Sequence, residues 1–570
     1  MKRNTLVLTI VPLLALVLYP AAAFGYTISA DSIYKHISVL ASDSLEGRET
    51  GEPGEFKAAA YIVSVFESAD LQPKGDTGSW LQEFEFTDKI EVGERNRLAI
   101  NEVELILHEE FEPLLQSAST TFQFDDFIFV DYGITLEDSS YDDYAGRDVE
   151  GKAVIVKRHA PESEDSSAVD FSACSSLTDK IARALDHKAT GVFFYTPEDH
   201  DDTMIAIAGG HVTPKDIPVI WLRRKGLEKL GLDLAHPGLV NASGQTELIA
   251  VRDTGYNVVA CLPSDNDTAV VITAHYDHLG WGGPTSRYLE EPRKIHYGAD
   301  DNGSGVAALL ELARRYSAER SRLKYTYLFV ALTGEEKGLL GSGHFVRNMP
   351  VDSSTVRMTI NMDMIGRLKD QEKGLAIFGT GTCTEFKTFF DSLQVDDIKL
   401  ALKESGTGPS DHTAFYNMGI PVLYFFTGAH EDYHTPDDVV DKIDLEGIVR
   451  VAGLVDRIVT HFDGYDGLLA FQRTKHEDTG RRRGAYSVTL GIMPDFISEL
   501  RGLGVDGVSA DGPGERAGLI KGDVIIKMGA LVIDDIYTYM NALGKFRKGD
   551  TTTLLVERDN DTLALPVEFK

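Results

Sequence analysis

Cysteine is scarce, positive charge is in deficit, and only one long apolar run occurs. Three cysteines in 570 residues, Cys174, Cys261 and Cys383, make no disulfide framework. At most one pair could bridge, and only in an oxidising compartment. Against 89 acidic residues stand 56 basic ones, a formal net charge of -33. That balance argues against nucleic acid as a partner. The apolar run lies at the start, and no later stretch is long and apolar enough to span a bilayer.

That start reads as a secretory signal. Lys2 and Arg3 form the positive region, LVLTIVPLLALVLYP the apolar one, and small residues follow in AAAFG. The competing reading is an uncleaved anchor helix. Cleavage before Tyr26 makes 1–25 a signal peptide and the protein exported, periplasmic or secreted, with no stable membrane span afterwards. No cysteine ends the run, which excludes a lipoprotein anchor. The length points to several domains, since single cores rarely grow past ~250–300 residues. With 43% hydrophobic residues the composition is globular.

The chemistry concentrates at the ends of short apolar runs that read as buried strands. AVVITA leads into His275 and Asp277. GADDNGSG, with Asp300 and Asp301, opens the helical run VAALLELARRY. YTYLFVAL ends at Glu335 and Glu336, TINMDMIGR carries Asp363, and GIPVLYFF runs on to His434. Open α/β sheets place ligands at such strand ends. Adjacent acids in one pocket raise each other's pKa unless a cation neutralises them. Two imidazoles and several carboxylates, with no cysteine, suit zinc or a related divalent ion in a catalytic site. With one carboxylate bridging, two metals can each hold one His and one further acid, leaving an unliganded acid as general base.

HYDHLG, GADDNGSG, TGEEKGLLGS, NMDMIGR and YHTPDD, in that order, resemble the di-zinc aminopeptidase family of metallopeptidases. Its relatives include glutamate carboxypeptidase, glutaminyl cyclase and the transferrin receptor. The resemblance implies two zinc ions (other divalent metals would also suit). His275 and Asp363 would bind one, Glu336 and His434 the other, and Asp300 would bridge them. It makes Glu335 the acid/base and Asp277 the acid that orients the His275 ring. It also implies a cis peptide between Asp300 and Asp301. Some members place an oxyanion-binding tyrosine on the loop before the last strand. Residues 406–410 contain none, which leaves Tyr433 and Tyr424 as nearby candidates. His278, His296, His344, His412 and His430 read as ordinary core or surface histidines.

The implied fold is α/β, a mixed, mostly parallel sheet flanked by helices. The peptidase part would run over 26–87 and 254–465. Between them, 88–253 has its own β-rich pattern and resembles a protease-associated domain, a lid beside such sites. Its polar run 161–167 reads as a solvated loop. A charged linker, 466–484, leads to 485–570, which looks like a PDZ domain with Leu490, Gly491 and Ile492 as its carboxylate loop. Such domains bind peptide or protein C-termini by strand addition.

The activity expected is aminopeptidase cleavage of peptide substrates. A carboxypeptidase would need cations for the substrate's carboxylate, and Arg287, Arg293 and Arg367 lie near in sequence. Glutaminyl cyclase and a non-catalytic peptide-binding protein are the other readings. The intact ligand set with Glu335 argues against the last, and the lid and PDZ-like modules fit peptide processing better than cyclisation.

Overall fold

The computed structural model describes residues 26–570 except 137–140, 162–170, 172–173, 203–213, 233–240, 284, 289–290, 371–373, 396, 475–487, 496–501, 509–511, 530, 534–535, 547–548, 559–560 and 570. The expected signal peptide 1–25, most of the polar run 161–167 and the second half of the expected linker 466–484 therefore lie outside the described residues.

Nine strands form the central sheet. In chain order they are β1 (Gln72–Pro73), β2 (Leu81–Val92), β3 (Leu248–Leu262), β4 (Ala269–His275), β5 (Thr326–Leu332), β6 (Val356–Met362), β7 (Leu375–Phe378), β8 (Leu400–Leu402) and β9 (Val422–Phe426). The spatial order is β1-β3-β5-β4-β6-β9-β7-β8, with β2 also paired to β3. The four middle strands, β5, β4, β6 and β9, run parallel. Their carboxyl ends therefore open on one edge, where the loops bearing most of the candidate residues begin.

These four strands read as largely apolar runs, without in/out alternation, because both faces are covered. Val270, Ile272 and Ala274 face one core, whereas Val271 joins the opposite one. The first core is closed by helices α1 (Ala30–Leu40), α2 (Pro53–Ser68), α3 (Gly305–Ala318) and α4 (Leu445–Asp463). Their starts follow from local chemistry. Ser29 caps α1 in a reciprocal pair with Ser32, proline occupies the first position of α2, and Asp444 caps α4 through Gly447 N–H.

Strands β2 and β3 continue out of the sheet as an antiparallel ribbon. Between them the chain builds two further sheets, a five-stranded one and a four-stranded antiparallel one. Phe124, Phe127 and Phe193 pack edge to face between these sheets. The C-terminal part is a six-stranded sheet with its own core and the helices Pro513–Ala517 and Ile536–Leu543. Leu490 is in that core, Gly491 has φ of 66° and Ile492 opens the edge strand.

Candidate metal centre

His275 ends β4, and its Nδ1 lies 3.2 Å from the Asp277 carbonyl. A carbonyl only accepts, so Nδ1 carries the proton and Nε2 presents its lone pair to the site. The Nδ1 of His434 meets the Thr285 carbonyl at 3.0 Å with the same consequence. Both Nε2 lone pairs then face carboxylate oxygens. His275 Nε2 is 3.2 Å from Asp363 Oδ1 and 3.4 Å from Asp301 Oδ1. His434 Nε2 is 3.3 Å from Asp301 Oδ2 and 3.2 Å from Glu336 Oε2.

Lone pairs facing lone pairs repel unless a cation lies between them. Without a metal that cation is a proton, and the facing acids hold both imidazoles well above the usual histidine range despite their burial. Ligands bound at ~2.0–2.1 Å in a tetrahedron lie ~3.3 Å apart, which matches all four separations. The donor set thus fits divalent metal, with one Asp301 oxygen turned toward each histidine. Among the described residues two candidate metal clusters occur, His275–Asp301–Asp363 and His278–Asp301–Glu336, and they share Asp301.

The geometry corrects the expected bridge. Asp300 turns away from the histidine pair. Its Oδ1 accepts the Gly366 N–H at 2.6 Å and its Oδ2 lies 3.2 Å from His430 Nε2. The two aspartates sit in a π-helical turn, Ala299–Ser304, whose backbone is non-helical at Asp301 and Asn302, so the neighbouring side chains leave in different directions. The cis peptide is likewise one residue further on, between Asp301 and Asn302.

His278, read as an ordinary histidine, stands at the cluster, with Nδ1 2.8 Å from Glu336 Oε1 and 3.7 Å from Asp301 Oδ2. Its spacing from His275 within one strand-end loop was the available signal. His430 meets Asp300, while His412 stacks on Tyr424.

Asp277 lies against the same loops. Its carboxylate accepts the N–H groups of Glu335 and Glu336 at 3.2 and 3.3 Å. Its Oδ1 is also 3.6 Å from His275 Nδ1. Burial pushes Glu335 well above the carboxylate range, aided by Glu336, Asp363 and Asp411 against His275. Burial acts on Glu336 too, but His434 and then His278 pull it well below. One pocket joins His275, Asp301, Glu335, Glu336, Asp363 and His434 to a wall of Met364, Pro409, Tyr424, Phe426, Ala429 and Tyr433. Tyr433 stacks on His434 with ring centroids 3.8 Å apart.

Fold and site together define an α/β protein with an imidazole–carboxylate cluster at the sheet's carboxyl edge that could hold metal. Residues 257–459 match the model of Peptidase family M28, and residues 467–569 match that of the PDZ domain. An M28-type metallopeptidase segment joined to a PDZ domain is supported on that ground. A probable leucine aminopeptidase of Arthroderma benhamiae is 26% identical over 233 residues, 38% of this chain and 59% of that protein. Leupeptin-inactivating enzyme 1 of Streptomyces exfoliatus is 32% identical over 180 residues, 31% of this chain and 36% of that protein. The chain thus spans about three-fifths or less of these relatives' length. Among solved structures, an aminopeptidase from Aneurinibacillus sp. strain AM-1 aligns over 78% of this chain and 97% of its own, at 23% identity and a TM-score of 0.44.

Proposed function

We propose that the chain is an exported di-zinc metallo-exopeptidase, an aminopeptidase that removes N-terminal residues from peptides. The observation that carries this reading is Asp301, whose two oxygens face separate imidazoles at metal-ligand spacing. His275 and Asp363 would hold one zinc ion, His434 and Glu336 the other, with Asp301 bridging. Bound there, zinc supplies the Lewis acidity that polarises a peptide carbonyl and acidifies water near neutral pH. Glu335 takes the water's proton and returns it to the leaving amine. His278 holds Glu336 in place, and Tyr433 at the rim is the candidate donor to the oxyanion.

The pocket favours an amine over a carboxylate. Among the described residues its lining includes four acids and no arginine or lysine. Arg367 is committed to Asp432 at 2.9 Å, and Arg287 donates to the carbonyls of Glu431 and Tyr433. Arg293 is exposed. With two zinc ions balancing the four carboxylates, the lining still offers no side-chain cation to pair with a substrate carboxylate, so it suits a free amine and favours the aminopeptidase reading over the carboxypeptidase one. The apolar wall suits an apolar first side chain.

Among the described residues the edge strand Ile492–Asp495 pairs on one side only, with Leu503–Val508, and that open edge suits a peptide C-terminus. We read the inserted sheets on their ribbon as a protease-associated lid. Export rests on the N-terminal signal. Among the described residues, which exclude 1–25, no helix is long and apolar enough to cross a membrane.

The test is hydrolysis of short peptides with free or blocked ends, with and without a chelator. Chelator-sensitive release from peptides with a free amino end is expected. Cleavage that requires a free carboxyl end instead, or none by zinc-loaded protein, would refute the reading.

A further inference from the structure

The loop between α1 and α2 lies beneath the metal centre and touches three of the loops that build it. Glu46, Gly47, Arg48 and Gly51 all have positive φ, at 50°, 75°, 53° and 90°. Residues other than glycine resist that region, so contacts outside the loop must hold it. Arg48 is fully buried. Its Nε donates to the Tyr276 carbonyl at 2.7 Å, Nη1 to Leu40 and Tyr297 at 2.5 and 2.8 Å, and Nη2 to Gly298 at 2.9 Å. All four acceptors are neutral main-chain oxygens. Burial pushes the Arg48 guanidinium down to about 10, and Asp301, Asp438, Asp277 and Glu336 offset that burial only in part.

The acceptors are placed informatively. The Tyr276 carbonyl lies between His275 and Asp277, and those of Tyr297 and Gly298 lie just ahead of Asp301. One rigid fork therefore spans the two segments that carry the His275 and Asp301 ligands. The Arg48 carbonyl also accepts from His278 N–H at 3.2 Å, and that of Gly47 from Gly280 N–H at 3.0 Å. Thr50 reaches the third segment. Its Oγ1 donates to Asp277 Oδ2 at 3.0 Å and accepts the Gly334 N–H at 3.0 Å, next to Glu335.

We infer that loop 47–51 is a positioning element of the metal centre, in which Arg48 sets the separation of His275 from Asp301 and Thr50 registers the turn bearing Glu335 and Glu336. Neither side chain belongs to the ligand set. The inference rests on the di-zinc reading above.

Zinc titration of the chelator-stripped full chain against a competing chelator tests it, with Arg48→Lys and Thr50→Val beside wild type. Lysine keeps the charge but cannot reach four carbonyls, and valine keeps the shape of threonine without its oxygen. Each variant is expected to weaken at least one zinc site by roughly 10–100-fold, the usual cost of losing a partner that orients a ligand. kcat should fall with little change in KM, while metal-free Thr50→Val stays folded but melts a few degrees lower, because the Gly334 N–H loses its partner. If Arg48→Lys does not fold, Thr50→Val decides alone. Zinc affinities within about twofold of wild type in the folded variants would overturn the inference while leaving the di-zinc reading intact. A wild-type chain that fails to bind two zinc ions would overturn both.

Discussion

Glu335 and Glu336 are chemically identical neighbours, yet opposite results are expected when each is changed to glutamine. Glu336 Oε1 meets His278 at 2.8 Å and Oε2 meets His434 at 3.2 Å, so both oxygens face the cluster and the imidazoles favour its ionised form. Glu335 sits beside Glu336, Asp363 and Asp411, and desolvation first and then these acids disfavour its charge. Environments that push two carboxyls apart commonly separate an acid/base from a ligand. Glu335→Gln keeps the shape of the side chain and removes its proton chemistry. General acid–base transfer typically contributes 10²–10⁴-fold, about 3–5 kcal/mol of barrier. We expect kcat to fall by about that factor, with KM little changed and two zinc ions retained. Glu336→Gln removes a ligand charge, so it should lose zinc by more than the ~10–100-fold typical of outer partners. Steady-state hydrolysis of leucine p-nitroanilide, with elemental analysis after gel filtration, reads both. Activity of Glu335→Gln within about threefold of wild type would refute the acid/base assignment. Two tightly held zinc ions in Glu336→Gln would refute its place as a ligand.

Two further predictions concern stability. Lys180 is buried in the inserted unit, where its Nζ donates to the carbonyls of Lys157 and His159, and burial pushes it from 10.5 down to about 7. Between those values the unfolded chain binds a proton that the folded one has released. Stability of this unit should therefore be full above pH 10.5 and fall toward pH 7, by up to ~1.4 kcal/mol per pH unit. Lys180→Met should flatten that slope, as read by Trp221 fluorescence in a chain with Trp80 and Trp281 replaced by Phe; an unaltered slope would exclude Lys180 as its source. Separately, a Cβ on Gly305 would lie 2.3 Å from Asn302 Oδ1 and 2.4 Å from the Met362 carbonyl. Gly305→Ala should cost about 1–3 kcal/mol as overpacking, and an unchanged melting temperature of the metal-free chain would contradict that packing.

What was legible in the sequence is what repeats along the chain. The runs at β4, β5, β6 and β9 are mostly apolar on both faces because helices cover one face and a second core the other. Periodicity therefore locates the strands, and the acids and histidines that follow them locate the carboxyl edge. Within a loop no period applies. Asp300 and Asp301 are the same residue type one step apart, and only the fold decides which carboxylate turns to the imidazoles and which to Gly366 N–H. His278 is a comparable case, since its three-residue spacing from His275 means something only once the loop's path is known.

The reach of Arg48 marks the other limit. LEGRETG reads as a turn between two amphipathic helices, and locally it is one. Its guanidinium, however, bonds to Tyr276, 228 residues away, and to Gly298, 250 away. Contacts at that separation leave no pattern in one sequence, since neither partner's residue type is specified when the acceptor is a main-chain carbonyl. The residues that would bind metal carry distinctive chemistry and are legible for that reason. Those that hold them in register need only a donor in the right place, and that requirement becomes visible only when the chain has folded.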